Sequence, residues 1–222
     1  MSVMRQLKGA LADDPQIASQ DKLMLWSAFT LAFFAFLRSS EFTSPSSVHF
    51  NPLVHLSRSD ISFTSAGSLT LQLKSSKTDP FRMGCSITLA PSGRSVCVVR
   101  AMRRYLAYQL PGNSTPLYFF STGQFLTRDK VTSILRLQLQ RLGFATESYA
   151  SRSFRIGAAT TAAEAGLPPW LIQTLGCWSS NCYTQYIRTP ASILQAVPAQ
   201  LAATHSTPLQ AWDPSTGQCR PC

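Results

Sequence analysis

Residues 23–37 constrain this chain more than any other stretch. They read Leu-Met-Leu-Trp-Ser-Ala-Phe-Thr-Leu-Ala-Phe-Phe-Ala-Phe-Leu, apolar on nearly every side of a helix. A surface helix needs one apolar stripe; a helix apolar all round has to be surrounded by other elements. The run is too short for a bilayer, which requires about 20 apolar residues, and Asp21, Lys22 and Arg38 flank it. It predicts a helix over residues 21–37 at the centre of a domain, with no membrane partner.

The rest of the chain supplies the cover. Residues 1–20 form a short mixed segment, with a turn or helix start at Asp13-Asp14-Pro15. After a Ser-, Pro- and His-containing loop, residues 59–63, 69–74 and 86–89 alternate or cluster apolar side chains as strands do. Between the last two lies Ser75-Ser76-Lys77-Thr78-Asp79-Pro80, a turn-like tip. A small antiparallel sheet follows, with Lys77 at or beside its hairpin. Residues 96–108 have helical spacing. Residues 117–120 make a short apolar run. Thr127 is placed to cap a helix through Arg141, with Gly143 as its stop. Residues 153–166 read as an Ala-rich helix ending at Gly166. Pro168-Pro169 opens a short helix over 170–175, and a further helix carries Tyr183 and Tyr186. Residues 192–203 are amphipathic, and a Pro/Gly/Thr tail follows. The fold class is mainly α with a small antiparallel β-sheet. The segments are 1–20, a domain over 21–190, and a C-terminal helix with flexible tail over 191–222.

With 45% hydrophobic and 14% charged residues, the 222-residue chain can bury a full core. Lys and Arg number 20 against 10 Asp and Glu, and the net charge of +10 points to a polyanionic partner. Arg94, Arg100, Arg103, Arg104, Arg128, Lys130, Arg136 and Arg141 have only Asp129 among them. They lie on several elements rather than one basic helix, which favours nucleic acid over a membrane surface. No secretory signal is visible at the start, so the six cysteines read as reduced intracellular thiols. Cys219-x-x-Cys222 has no matching pair, and His49, His55 and His205 lack ligand spacing to one another. No metal or other cofactor is expected.

Five short motifs remain. They are Leu37-Arg38-Ser39-Ser40-Glu41, Ser76-Lys77-Thr78, Ser153-Phe154-Arg155-Ile156-Gly157, Leu175-Gly176-Cys177-Trp178 and Tyr186-Ile187-Arg188. Guanidinium forks match two phosphoryl oxygens at once, which suits Arg38 and Arg155 to the charge built up when a phosphodiester breaks. Glu41 is placed to orient Arg38. A hairpin lysine can protonate a leaving oxygen, with Lys77 ahead of Lys74. A tyrosine phenol can form a covalent phosphoryl ester, with Tyr186 ahead of Tyr183. The Trp178 indole N–H can donate to a phosphate oxygen.

Arg, Lys, Arg, Trp and Tyr in this order resemble the active site of the tyrosine recombinases, the phage-integrase family. The likeness covers roughly residues 21–190. Ser-Phe-Arg-Ile-Gly-Ala-Ala and the Trp-Ser-Ser…Tyr-Ile-Arg block look most like the DIRS and Crypton mobile-element recombinases. The resemblance implies double-stranded DNA as partner, a homo-oligomer on DNA when active, and cleavage through a 3′-phosphotyrosyl bond. It implies a nuclear place in a eukaryote and an intracellular one otherwise. One position departs from it: Arg152 stands where the family has His. Arginine donates only and cannot accept a proton. Family members also usually carry a helical clamp domain ahead of this one, and residues 1–20 are too short for it. Together these lead to the expectation of a truncated or decayed copy. The alternatives are a non-catalytic DNA-binding module and a type IB topoisomerase-like enzyme.

Overall fold

In the computed structural model the apolar run forms helix α2 (Ser19–Phe34), preceded by helix α1 (Ser2–Asp13). The structure describes residues 1–74, 84–109, 115–176, 178, 181–188, 195, 197–199, 212–213 and 218–219. In α2, Met24, Leu25, Ala28, Phe29, Leu31 and Ala32 are completely buried. They are covered by helices α4 (Val98–Leu106) and α6 (Ser153–Glu164). The two hydroxyls in this core are satisfied, as burial requires. Thr30 Oγ1 donates to the Trp26 carbonyl at 2.9 Å. Ser27 Oγ lies 3.3 Å from the Tyr118 hydroxyl and donates to Met102 Sδ at 3.4 Å.

The sequence reading ran this helix to residue 37, but it ends at Phe34. The Leu37 N–H returns to the Ala32 carbonyl at 3.0 Å and the Phe36 N–H to that of Phe33 at 3.2 Å. This paired closure places the residue after the cap in the left-handed region. That residue is Phe36, at φ 53°. Glycine is usual there, since a side chain in this conformation costs about 1–2 kcal/mol.

Residues 1–20, read as a mixed segment apart from the domain, are largely helical. Met4, Leu7 and Leu11 repeat at helical spacing and bury one face of α1 against α2 and helix α5 (Arg128–Arg141). Met1–Ile187 form one compact unit and Arg188–Cys222 another.

Strands β1 (Ile61–Phe63), β2 (Leu69–Leu73) and β3 (Cys85–Leu89) pair antiparallel in that order. Leu69, Leu71 and Leu73 alternate inward, fixing the register Leu73↔Cys85 and Leu69↔Leu89. Residues 59–60, expected in the first strand, instead join a 3₁₀ turn, Arg58–Asp60. The Asp60 carboxylate draws them there by accepting from the Ser57 N–H at 2.7 Å and the Ser57 hydroxyl at 2.8 Å. The hairpin residues 75–83, Lys77 among them, lie outside the described residues.

Helix α5 follows its expected limits. Thr127 accepts from the Lys130 N–H at 3.3 Å, and Gly143, at φ 80°, leads the chain away. Helix α3 (Ser39–Phe42) is a single turn, and helix α7 (Pro169–Leu175) opens at its prolines. The segment carrying Tyr186 is a 3₁₀ turn, Asn181–Tyr186, rather than an α-helix. In the second unit, strands β4 (Trp212–Asp213) and β5 (Gln218–Cys219) pair antiparallel where the sequence reading had only flexible tail. No described helix is long and apolar enough to cross a membrane.

Candidate active site

After the left-handed turn at Phe36 the chain runs through Leu37 to Arg38, which is extended at the start of α3. Glu41 then holds Arg38 twice. Its Oε2 accepts from the Arg38 main-chain N–H at 2.7 Å, and its Oε1 from Arg38 Nη1 at 2.9 Å. The Glu41 side chain is only 5% exposed and that of Arg38 20%. A carboxylate so enclosed orients its arginine, the part the sequence reading gave it.

Arg155, in the first turn of α6, is buried. Its Nη1 donates to the Phe36 carbonyl, and its Nη2 to the Gly176 carbonyl at 2.6 Å. The guanidinium lies over the Trp178 ring, 4.1 Å from its centroid, and 5.8 Å from that of Tyr186. The Trp178 and Tyr186 rings meet at 5.4 Å. Phe36 meets Trp178 edge-on at 6.2 Å. Arg155, Trp178 and Tyr186 thus form one stack, and Arg38 shares a crevice with Arg155. The crevice has room for about 10 Å³ and is also lined by Glu41, Leu73 and Cys85. Leu73 and Cys85 are the strand ends that flank Lys77 in sequence.

Three expected residues fare differently. Lys74, the competitor to Lys77, is taken up by the fold. Its Nζ pairs with Asp60 Oδ2 at 2.6 Å and donates to the Pro52 carbonyl at 2.7 Å and to Ser57 Oγ at 3.0 Å. Arg152, at the N-cap of α6, is exposed, and its side chain makes no hydrogen bond or ion pair among the described residues. The Tyr183 side chain lies outside the described structure, whereas Tyr186 is half-buried, with its carbonyl accepting from Thr160 Oγ1 at 3.3 Å. Among the described residues no group of His, Cys, Asp and Glu could hold a metal ion.

Sequence reasoning missed the carbonyls of Phe36 and Gly176. Main-chain acceptors carry no residue signature, and only the ends of α2 and α7 place them. It also gave no sign that Nη1 and Nη2 of Arg155 each donate to the protein's own main chain.

No family model matches the chain, and no curated protein does. Among solved structures the likeness covers nearly the whole chain. The XerH site-specific recombinase bound to palindromic difH substrate, a post-cleavage complex, superposes with TM-score 0.66 at 13% identity. That match covers 90% of this chain and 51% of the other. The XerA recombinase gives 0.63 at 17%, covering 92% and 63%. An FLP recombinase–Holliday junction complex gives 0.53 at 12%, covering 99% and 53%. The fold is that of the tyrosine recombinase catalytic domains. The chain spans about half to three-fifths of the length of these structures.

Proposed function

We propose that this chain cleaves and rejoins DNA strands through a covalent 3′-phosphotyrosyl intermediate, as the catalytic part of a recombinase. The observation that carries the reading is the stack of Arg155, Trp178 and Tyr186 beside the Glu41-held Arg38. One nucleophile and two guanidinium groups meet in a fold matched to DNA-bound recombinases. Tyr186 Oη attacks the scissile phosphorus in line, forming a P–O bond as the bond to the 5′-oxygen breaks. The phenolic proton passes to solvent water, and Lys77 gives the 5′-oxygen its proton. Arg38 and Arg155 carry the charge on the phosphoryl oxygens. Attack by the 5′-hydroxyl of another strand reverses the step and reseals the break. The motif around Arg155 supports a DIRS- or Crypton-like mobile-element origin. The working form is a homo-oligomer on DNA, in the nucleus of a eukaryote or otherwise inside the cell.

A binding-only remnant is the second reading, and Arg152 favours it. That exposed side chain donates only, where a histidine could exchange a proton near neutral pH. Losing such a group costs about 100- to 10,000-fold in rate. Single-turnover trapping on a nicked duplex, in chelator, tests both readings. Strand transfer predicts a protein–DNA adduct that forms faster in Arg152→His. Tight binding with no adduct from either protein would leave the remnant reading.

A further inference from the structure

At the end of the sheet away from Leu73 and Cys85, Phe63 pairs with Leu69 and Leu69 with Leu89. Arg103 of α4 lies over the Phe63 ring, with Cζ 4.4 Å from its centroid. Arg100 stands three residues before Arg103 and four before Arg104, spacings that make it a surface neighbour of both. All three are exposed. With Pro91 and Gly93 they line an open groove of about 340 Å³.

Among the described residues lining this groove none is acidic, and no described ion pair involves α4. Like charges three and four residues apart repel, so Arg100 is set against both Arg103 and Arg104 with no described acidic partner. Two of the three are nonetheless held in place. Arg103 rests on the ring, and the Arg100 guanidinium donates to the Arg94 carbonyl. A fixed row of forked donors with no internal acid fits an external row of phosphates.

We propose that this groove binds the phosphate backbone of duplex DNA away from the cleavage position, as a second contact separate from the crevice of Arg38 and Arg155. It rests on the reading of duplex DNA as the partner. The groove and the crevice sit at opposite ends of β2, about 13 Å apart at 3.3 Å per residue. One phosphate cannot reach both. At about 3.4 Å per step along a strand, the groove meets backbone some four base pairs or more from the scissile phosphate.

The test uses Tyr186→Phe protein, so that no covalent capture intrudes, and a labelled nicked duplex with long arms. A second duplex ends within about four base pairs of the nick. Arg100→Gln/Arg104→Gln is compared with Arg5→Gln/Lys22→Gln, which removes the same charge elsewhere. On the long duplex the groove pair should bind at least tenfold more weakly. Its plot of log affinity against log salt should flatten by about 2, near 0.9 per lost contact. The control pair should stay within twofold of the parent, and on the short duplex the two pairs should match. The groove pair should melt at the same or a higher temperature, because a repulsion is relieved. Equal losses by both pairs on the long duplex would reduce the groove to bulk charge and overturn the proposal. So would groove-pair binding to the long duplex within twofold of the parent. If protein with Tyr186 intact forms no adduct while the groove pair behaves as stated, strand transfer fails and the groove stands.

Discussion

Arg155 donates through Nη2 to the Gly176 carbonyl at 2.6 Å, and its Nη1 takes the Phe36 carbonyl, so one guanidinium ties the end of α2 to the end of α7. The fork proposed to grip a phosphate also holds the domain together before DNA arrives. Arg155→Lys removes the fork and leaves one buried carbonyl without its donor, a loss of about 1–3 kcal/mol. Arg38→Lys, at a more exposed ion pair, should lose less than about 1 kcal/mol. Denaturant unfolding of the two variants measures the difference. Equal losses would contradict the tie.

Gly176 leaves no room for a side chain. A Cβ built there falls within the Trp178 ring. Gly176→Ala should push Trp178 off Arg155 and lower stability by about 1–3 kcal/mol through overpacking. Near-ultraviolet circular dichroism reads the displaced indole, and thermal unfolding reads the stability. An unchanged spectrum with unchanged stability would show that Trp178 is not confined as described.

The two hairpin lysines should separate by leaving group. Lys77→Ala should slow cleavage of an ordinary 5′-oxygen substrate, and a 5′-sulfur leaving group, which needs no strong acid, should restore much of the rate. Lys74→Ala breaks the ion pair with Asp60 and should lower stability, with no rescue by sulfur. Sulfur rescue of Lys74→Ala instead of Lys77→Ala would reverse the assignment.

Acid should loosen the seam between α1 and α5. Hydrogen bonding from Arg141 holds the Asp14 carboxyl down to about 2, outweighing the burial that pushes it up, with Gln16 and Gln138 also donating. The folded value lies below the unfolded one, so the carboxylate stabilises the fold fully above the ordinary value of 3.8. That contribution disappears as pH falls through the folded value. Asp14→Asn should be less stable than wild type at neutral pH. Its stability should also vary less as pH falls from 3.8 to about 2. Parallel curves for the two proteins across that window would contradict the pairing.

What could be read from the sequence follows from where the information sits. The all-round apolar run announced α2, and Thr127 and Gly143 bracketed α5, because burial and capping are written in side chains. The end of α2 was misjudged because Phe36 takes a backbone position where glycine is the usual sign. Helix α1 was missed because Met4, Leu7 and Leu11 are a sparse stripe in a polar segment. The motif residues Arg38, Arg155, Trp178 and Tyr186 do come together. The burial of Arg155 could not be read, because its partners are main-chain carbonyls brought near by tertiary packing. Arg152 shares the motif of Arg155 but stays outside the stack, because as the N-cap residue it precedes the first turn of α6.

The central claim is that Tyr186 is the nucleophile. The direct measurement is to trap protein on a nicked duplex in chelator, digest both components, and identify by mass spectrometry the tyrosine that bears the nucleotide. The account predicts a phosphodiester from Tyr186 Oη to a 3′ end, and none in Tyr186→Phe. A nucleotide on Tyr183, or an adduct that survives Tyr186→Phe, would contradict it.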